Sequence, residues 1–187
     1  MARCIGWGAA LAAVFLGFLL SIYLMAGVRW QGDNPHHLTV SGAVAHSDTT
    51  YGVSLGLAAV VAGLLLALEA TCRIPLARAS LPVVALLGAS LLVAIGVTWR
   101  RHRAVHHAFT ALTVLLMVAA AGLWTHAAGR GTMQAVLAVL TVLLFLAGVG
   151  VGGAGRCRRF RWVAVLEWLI AVLFLSAVFC SCAGRLT

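Results

Sequence analysis

The sequence predicts an all-α fold: a polytopic membrane protein whose single domain, residues 1–187, is a bundle of six transmembrane helices. Three observations predict it. Six apolar segments run over residues 5–28, 50–70, 81–97, 104–125, 133–151 and 162–180. Each is near the roughly 20 helical residues needed to cross a hydrocarbon core about 30 Å thick. The chain is 63% hydrophobic and only 9% charged, whereas a soluble domain carries about a quarter charged residues. Almost every charge falls in the gaps between the segments, and six spans with short connections use up the chain.

Taken in order, each segment has its own punctuation. The first has an apolar run longer than the roughly 7–15 residues of a signal-peptide core. Ala26-Gly27 is a poor cleavage site, so this segment is expected to remain as a span. The connection over residues 29–49 is the longest and contains Pro35. Asp48, followed by Thr49-Thr50-Tyr51, is expected to cap the second helix, and Ser80-Leu81-Pro82 reads as the start of the third. Pro75 lies in a connection, and Pro82 is expected in a first helical turn, where a missing N–H costs least. Trp30, Trp99 and Trp162 mark one interface, and Trp7 and Trp124 the other, as an aromatic belt would. Gly52 and Gly56, and Gly148 and Gly152, stand four apart, a spacing that lets helix backbones approach. We expect these pairs to pack helices within the molecule. No internal repeat is evident.

The formal charge of +9 comes from 13 basic residues, all Arg. They sit in short connections at span ends, where long basic side chains snorkel and set topology. The basic balance therefore argues for the bilayer as partner and against nucleic acid. Six spans put the odd-numbered connections on one side and the even-numbered connections with both termini on the other. The odd side carries Arg29, Arg100, Arg101, Arg103, Arg156, Arg158, Arg159 and Arg161; the even side carries Arg3, Arg73, Arg78, Arg130 and Arg185. The positive-inside rule makes the odd side cytoplasmic. Cysteines point the other way. Cys4, Cys72, Cys180 and Cys182 lie near the even interface and only Cys157 on the odd side. Interfacial cysteines facing the cytosol suit S-acylation, whereas lumenal ones suit disulfides. Orientation stays open at this point.

Six of the seven histidines fall on the odd side: His36, His37 and His46 in the first connection, and His102, His106 and His107 at the start of the fourth segment. His102 and His106 share a face if the helix begins that early. Three readings stand: solvated loop residues, a pH-responsive cluster because imidazole changes charge near about pH 6.5, or a metal site completed by Asp33 or Asp48. Glu167, beside Trp168, lies just inside the last span, where a charge needs a partner or a proton. It reads as an anchoring ion pair with the run Arg156–Arg161, or as a lipid-headgroup or proton site. Glu69 lies toward the opposite side, so the two acids are not expected to meet. Gly150-Val151-Gly152-Gly153-Ala154-Gly155 spells a dinucleotide fingerprint, but it ends an apolar span instead of following a strand. No cofactor is expected. No nucleophile–base arrangement, C-x-x-C or H-E-x-x-H is legible, and the spacing of Cys180-Ser181-Cys182 is not a zinc signature.

Three short motifs, in order, resemble the damage-regulated autophagy modulator (DRAM) family, which also has six spans. Glu167-Trp168, early in the last span, is similar to a Glu-Trp pair at that place. Ser47-Asp48-Thr49 is similar to the Ser-Asp-Thr-Gly before the family's second span, with Thr50 standing where the family has Gly. His106, in Val105-His106-His107-Ala108, is similar to a His opening the family's fourth span. The resemblance implies a non-enzymatic regulator of autophagy in lysosomal or other endomembranes, with the plasma membrane as the alternative address. A related branch implies the remodelling of lipids, including GPI-anchor lipids. Asp48, His106, Glu167 and Trp168 are the matching positions. Two other classes remain. A small transporter or channel needs polar residues in mid-membrane, and Ser90, Thr110, Thr113 and Thr141 are the candidates. A lipid-modifying enzyme would use Glu167 and the odd-side histidines. Protein partners are not named by the sequence.

Overall fold

Long apolar runs free of internal breaks become long helices. The structure is a computed structural model that describes residues 2–25, 40–44, 47–72, 77–97, 102–127, 132, 135–136, 139–143, 146 and 160–183. These residues form α1 (Ala2–Met25), the short α2 (Val40–Val44), α3 (Asp48–Cys72), α4 (Ala77–Gly96), α5 (Arg103–Ala127) and α6 (Phe160–Ala183). Helical residues at 135–136, 139–143 and 146 fall in the fifth expected span and 132 just before it; most of that span lies outside the described residues. Among the described residues the chain is all-helical, with no strand.

The ends of these helices differ from expectation in two instructive places. Ser47, not Asp48, caps α3: its Oγ accepts from the Thr50 backbone N–H at 3.1 Å and pairs with Thr50 Oγ1 at 2.7 Å. Asp48 is the first helical residue, exposed in a first turn that favours an acidic side chain. Helix α4 begins at Ala77, so Pro82 stands in its second turn and removes one backbone hydrogen bond. Ser80 is not a cap either. It is buried and donates to Glu69.

Packing closes the five long helices into a ring. Helix α1 packs on α3, α3 on α4, α4 on α5 and α5 on α6, and α6 returns to α1; α2 lies against α1 and α3. Leu11, Leu65, Leu87, Trp124, Phe174 and Val178 centre one buried cluster, and Phe18, Ala43, Val44, Ala58, Ile95 and Ala171 centre a second. At the α3–α4 crossing a Cβ on Gly88 would stand 3.1 Å from Ala62 Cβ, so glycine sets that close approach. Gly52 and Gly56 do not have the expected packing role. They are exposed, and a Cβ there would meet nothing within 4 Å. Gly148 and Gly152 lie outside the described residues.

Outward faces are apolar along the helices. Leu16, Val60, Leu86, Leu115 and Val172 all stand exposed. Among the described residues, two helices carry segments long and apolar enough to cross a membrane, Asp48–Thr71 and Ala104–His126. Gly6–Ser21, Ser80–Gly96 and Glu167–Val178 are shorter apolar stretches.

Glu69, only 2% exposed, ties three helices together. Its Oε1 accepts from Ser80 Oγ on α4, and its Oε2 accepts from Trp124 Nε1 on α5 at 2.6 Å. The Trp124 ring lies 6.1 Å from that of Phe174 and carries the contact on to α6. Trp124 is therefore a core residue with a buried donor, not part of an interfacial belt; Trp7 is half-buried against the same cluster. Substituting Glu69→Ala deprives Trp124 Nε1 of its acceptor and removes one partner of Ser80. The expected loss is about 1–3 kcal/mol of stability, measured by unfolding of the purified protein in detergent. Glu69→Gln keeps a carbonyl acceptor and loses less; equal losses from the two variants would contradict the assignment.

Candidate functional site

A cavity of about 160 Å³ lies between α1, α2, α4, α5 and α6, toward the end of the bundle where α4 hands over to α5. Its wall is mostly aliphatic and aromatic, with Phe15, Phe18, Leu91 and Ile170 contributing, and α2 adds Val40 and Val44. Four polar side chains interrupt that wall: His106, Thr110, Thr113 and Glu167. An apolar cavity with a few convergent polar groups is the usual form of a small-molecule site.

His106 is positioned by the end of α4. The last carbonyls of a helix have no partner within it. Here Ala94 O and Val97 O lie 2.9 Å and 3.0 Å from His106 Nδ1, while Gly96 O accepts from the Tyr51 hydroxyl at 3.0 Å. Carbonyls only accept, so Nδ1 carries the ring proton and Nε2 is left as the acceptor of the neutral imidazole. The first turn of α5 supports this placement, since His106 N–H donates to His102 O at 2.9 Å. His106 is 7% exposed, whereas His102 precedes α5 and is exposed, so the two do not share an inward face. His107 is exposed, and its ring stands edge-on to that of His106 at 5.5 Å.

Glu167 reaches across the chain. Its Oε2 accepts from the Val40 backbone N–H at 2.8 Å, between residues 127 apart in sequence. The carboxyl thus caps the amino end of α2, the role a helix N-terminus assigns to an acid. Arg156, Arg158, Arg159 and the Arg161 side chain lie outside what the structure describes, and the described hydrogen bond of Glu167 is to backbone. Trp168 is half-buried and packs against the second core cluster.

The hydroxyls are engaged locally. Thr110 Oγ1 donates to His106 O at 2.8 Å. Thr113 Oγ1 lies 3.0 Å from Ser90 Oγ and 2.8 Å from Phe109 O, joining α4 to α5 beside the cavity. Such back-bonding to the preceding turn satisfies a hydroxyl without water. Thr141 is buried on the stretch after α5 and does not line this cavity.

Of the residues singled out from sequence, His106 and Glu167 meet around one cavity, and Trp168 backs it. Asp48 stays at the surface. Glu69 belongs to the buried node with Ser80 and Trp124 and is not in the cavity wall, in keeping with the expected separation of the two acids. Among the described residues no three His, Cys, Asp or Glu side chains form a metal-holding group. His36, His37, His46, Asp33 and the glycine run 150–155 lie outside the described residues. The sequence reading missed the capping partners Tyr51 and Val40. A Tyr one turn into a helix and a short Val-Ser-Gly-Ala-Val stretch carry no distinctive pattern.

The site so defined is a polar-tipped apolar cavity in an all-helical protein. No family model matches the chain, and no characterised protein or solved structure matches it either.

Removing the Glu167 carboxyl is expected to loosen α2 without unfolding the ring. In Glu167→Ala, amide exchange at Val40 should speed by about ten-fold, the loss of one net hydrogen bond. Exchange in the middle of α3 should be unchanged, and parallel changes at both places would show that Glu167 supports the whole bundle instead.

Proposed function

We propose that this chain is a six-span endomembrane protein resembling the DRAM family, a non-enzymatic regulator of autophagy or of the lysosomal membrane that acts through the His106–Glu167 cavity. The observation that carries the reading is this convergence. Of the four positions matched by the family resemblance, two that lie far apart in sequence line one cavity, Trp168 packs behind it, and Asp48 stands apart at the surface. The apolar outward faces support a lipid surround, because an aqueous surface would leave these aliphatic side chains hydrated. The cavity lies where α4 hands over to α5, with α2 contributing to its wall.

The test is orientation and address together: a tag at either terminus, imaged in intact and selectively permeabilised cells. Cytosolic termini on lysosomal or related membranes are expected, with the cavity end facing the lumen. Termini facing outside or into a lumen would put the Arg-rich connections in the cytosol, as the charge rule prefers, and would overturn the family reading.

One observation favours a second reading, a lipid-modifying enzyme. An imidazole with a free acceptor nitrogen and a carboxyl in one apolar cavity are groups that general acid–base chemistry uses. That reading expects Glu167→Gln to abolish turnover of a lipid substrate while leaving the fold intact. The regulatory reading expects no turnover from either protein.

A further inference from the structure

We infer that the cavity holds the hydroxyl head and first carbons of a single-chain neutral lipid. This rests on the membrane reading above and adds to it a class of ligand. Size sets the first limit. A cavity of about 150 Å³ takes one benzene molecule, and this one measures about 160 Å³. It accommodates a short aliphatic stretch, not a whole lipid, so the remaining chain must continue into the surrounding hydrocarbon.

Polarity sets the second limit. Nδ1 of His106 is committed to the Ala94 and Val97 carbonyls, which leaves Nε2 as the acceptor. Oε2 of Glu167 is committed to the Val40 N–H, which leaves Oε1. Among the described residues no buried side-chain nitrogen or oxygen lacks a partner. The two remaining atoms have no other described protein partner, and both side chains line the cavity. The hydroxyls of Thr110 and Thr113 point their protons back to their own helices or to Ser90.

The cavity therefore offers acceptors and asks for a donor. No Arg is among its described lining residues, and the chain has no Lys. A phosphate or carboxylate head would bring further acceptors, and negative charge, against Glu167. A hydroxyl donates to Oε1 or Nε2, and it also accepts if either group is protonated. A hydroxyl thus satisfies the site in every protonation state, and the apolar wall holds the carbons behind it.

The experiment uses the full chain in detergent micelles with a diazirine-bearing analogue of 1-hexadecanol as photoprobe. Unlabelled 1-hexadecanol, hexadecane and hexadecyl phosphate serve as competitors. Labelling is expected on α5 and α6 around Thr110 and Ala171, competed by the alcohol and not by the alkane or the phosphate. Ala171 and Ala94 are small residues in the cavity wall, so Ala171→Leu and Ala94→Leu should each fill it and lower labelling by about ten-fold. Size-exclusion profiles and melting temperatures of the two variants show whether they remain folded, and one folded variant is enough to read the effect. Equal competition by hexadecyl phosphate or by hexadecane would overturn the hydroxyl assignment. Labelling elsewhere, or labelling that persists in a folded cavity-filled variant, would overturn the site. Carbonate extraction of the cell membranes from which the protein is purified separates this result from the reading beneath it. A protein retained in the membrane that takes no alcohol contradicts this inference alone, and a protein released from the membrane contradicts the membrane reading.

Discussion

Polar side chains buried among apolar ones must find partners within the chain, because an unpartnered one costs several kcal/mol (about 4–8 on transfer to an alkane). The arrangement of this molecule follows from that constraint. At one end of the ring Glu69 gathers Ser80 and Trp124, and so fixes α3, α4 and α5 at a common height. At the other end the last carbonyls of α4 are taken by Tyr51 from α3 and His106 from α5, joining the same three helices a second time. Between the two ends the described buried clusters are apolar, and the Ser90–Thr113 pair joins α4 to α5. The bundle is thus riveted at its ends and greased along its length.

Helix α6 is held differently. It packs on α5 and α1 through aliphatic and aromatic side chains, and its acid turns to the backbone of α2. A carboxyl that caps a five-residue helix gives the first connection a fixed point on the bundle. Such a short helix is unstable alone, since nucleation fixes several residues for one hydrogen bond. Its position is therefore supplied by Glu167 and by the burial of Ala43 and Val44. The cavity lies where this connection meets the ring, so its shape depends on the same contact.

Much of the helical content was legible in the sequence, because a long unbroken apolar run has few other solutions. Residues 50–70 and 104–125 are recovered inside α3 and α5, each with a few more residues at its ends. The capping errors have a local cause. Ser47 and Asp48 are both competent caps, and the choice between them depends on where the preceding chain turns. Trp124 was misread because an indole near a span end suits either a headgroup or a buried acid, and only the fold brings Glu69 to it. Helix α2 has no periodicity to read. The site was legible only in part: His106 and Glu167 stood out as polar residues at apolar span ends, but their meeting depends on ring closure. The partners of each, backbone groups from other helices, leave no mark in sequence.

The proposed membrane setting puts the aliphatic outer faces of the ring in lipid while the chain satisfies its buried polar groups internally. The most direct measurement places nitroxide side chains at Val60, Leu86, Leu115 and Val172, all exposed on different helices, in protein reconstituted into bilayers. Collision rates with oxygen, which partitions into hydrocarbon, are compared with those for a water-soluble nickel chelate. The account predicts frequent oxygen collisions and exclusion of nickel at all four positions, with nickel reaching the exposed Asp48. Nickel accessibility at the four sites equal to that at Asp48 would contradict it.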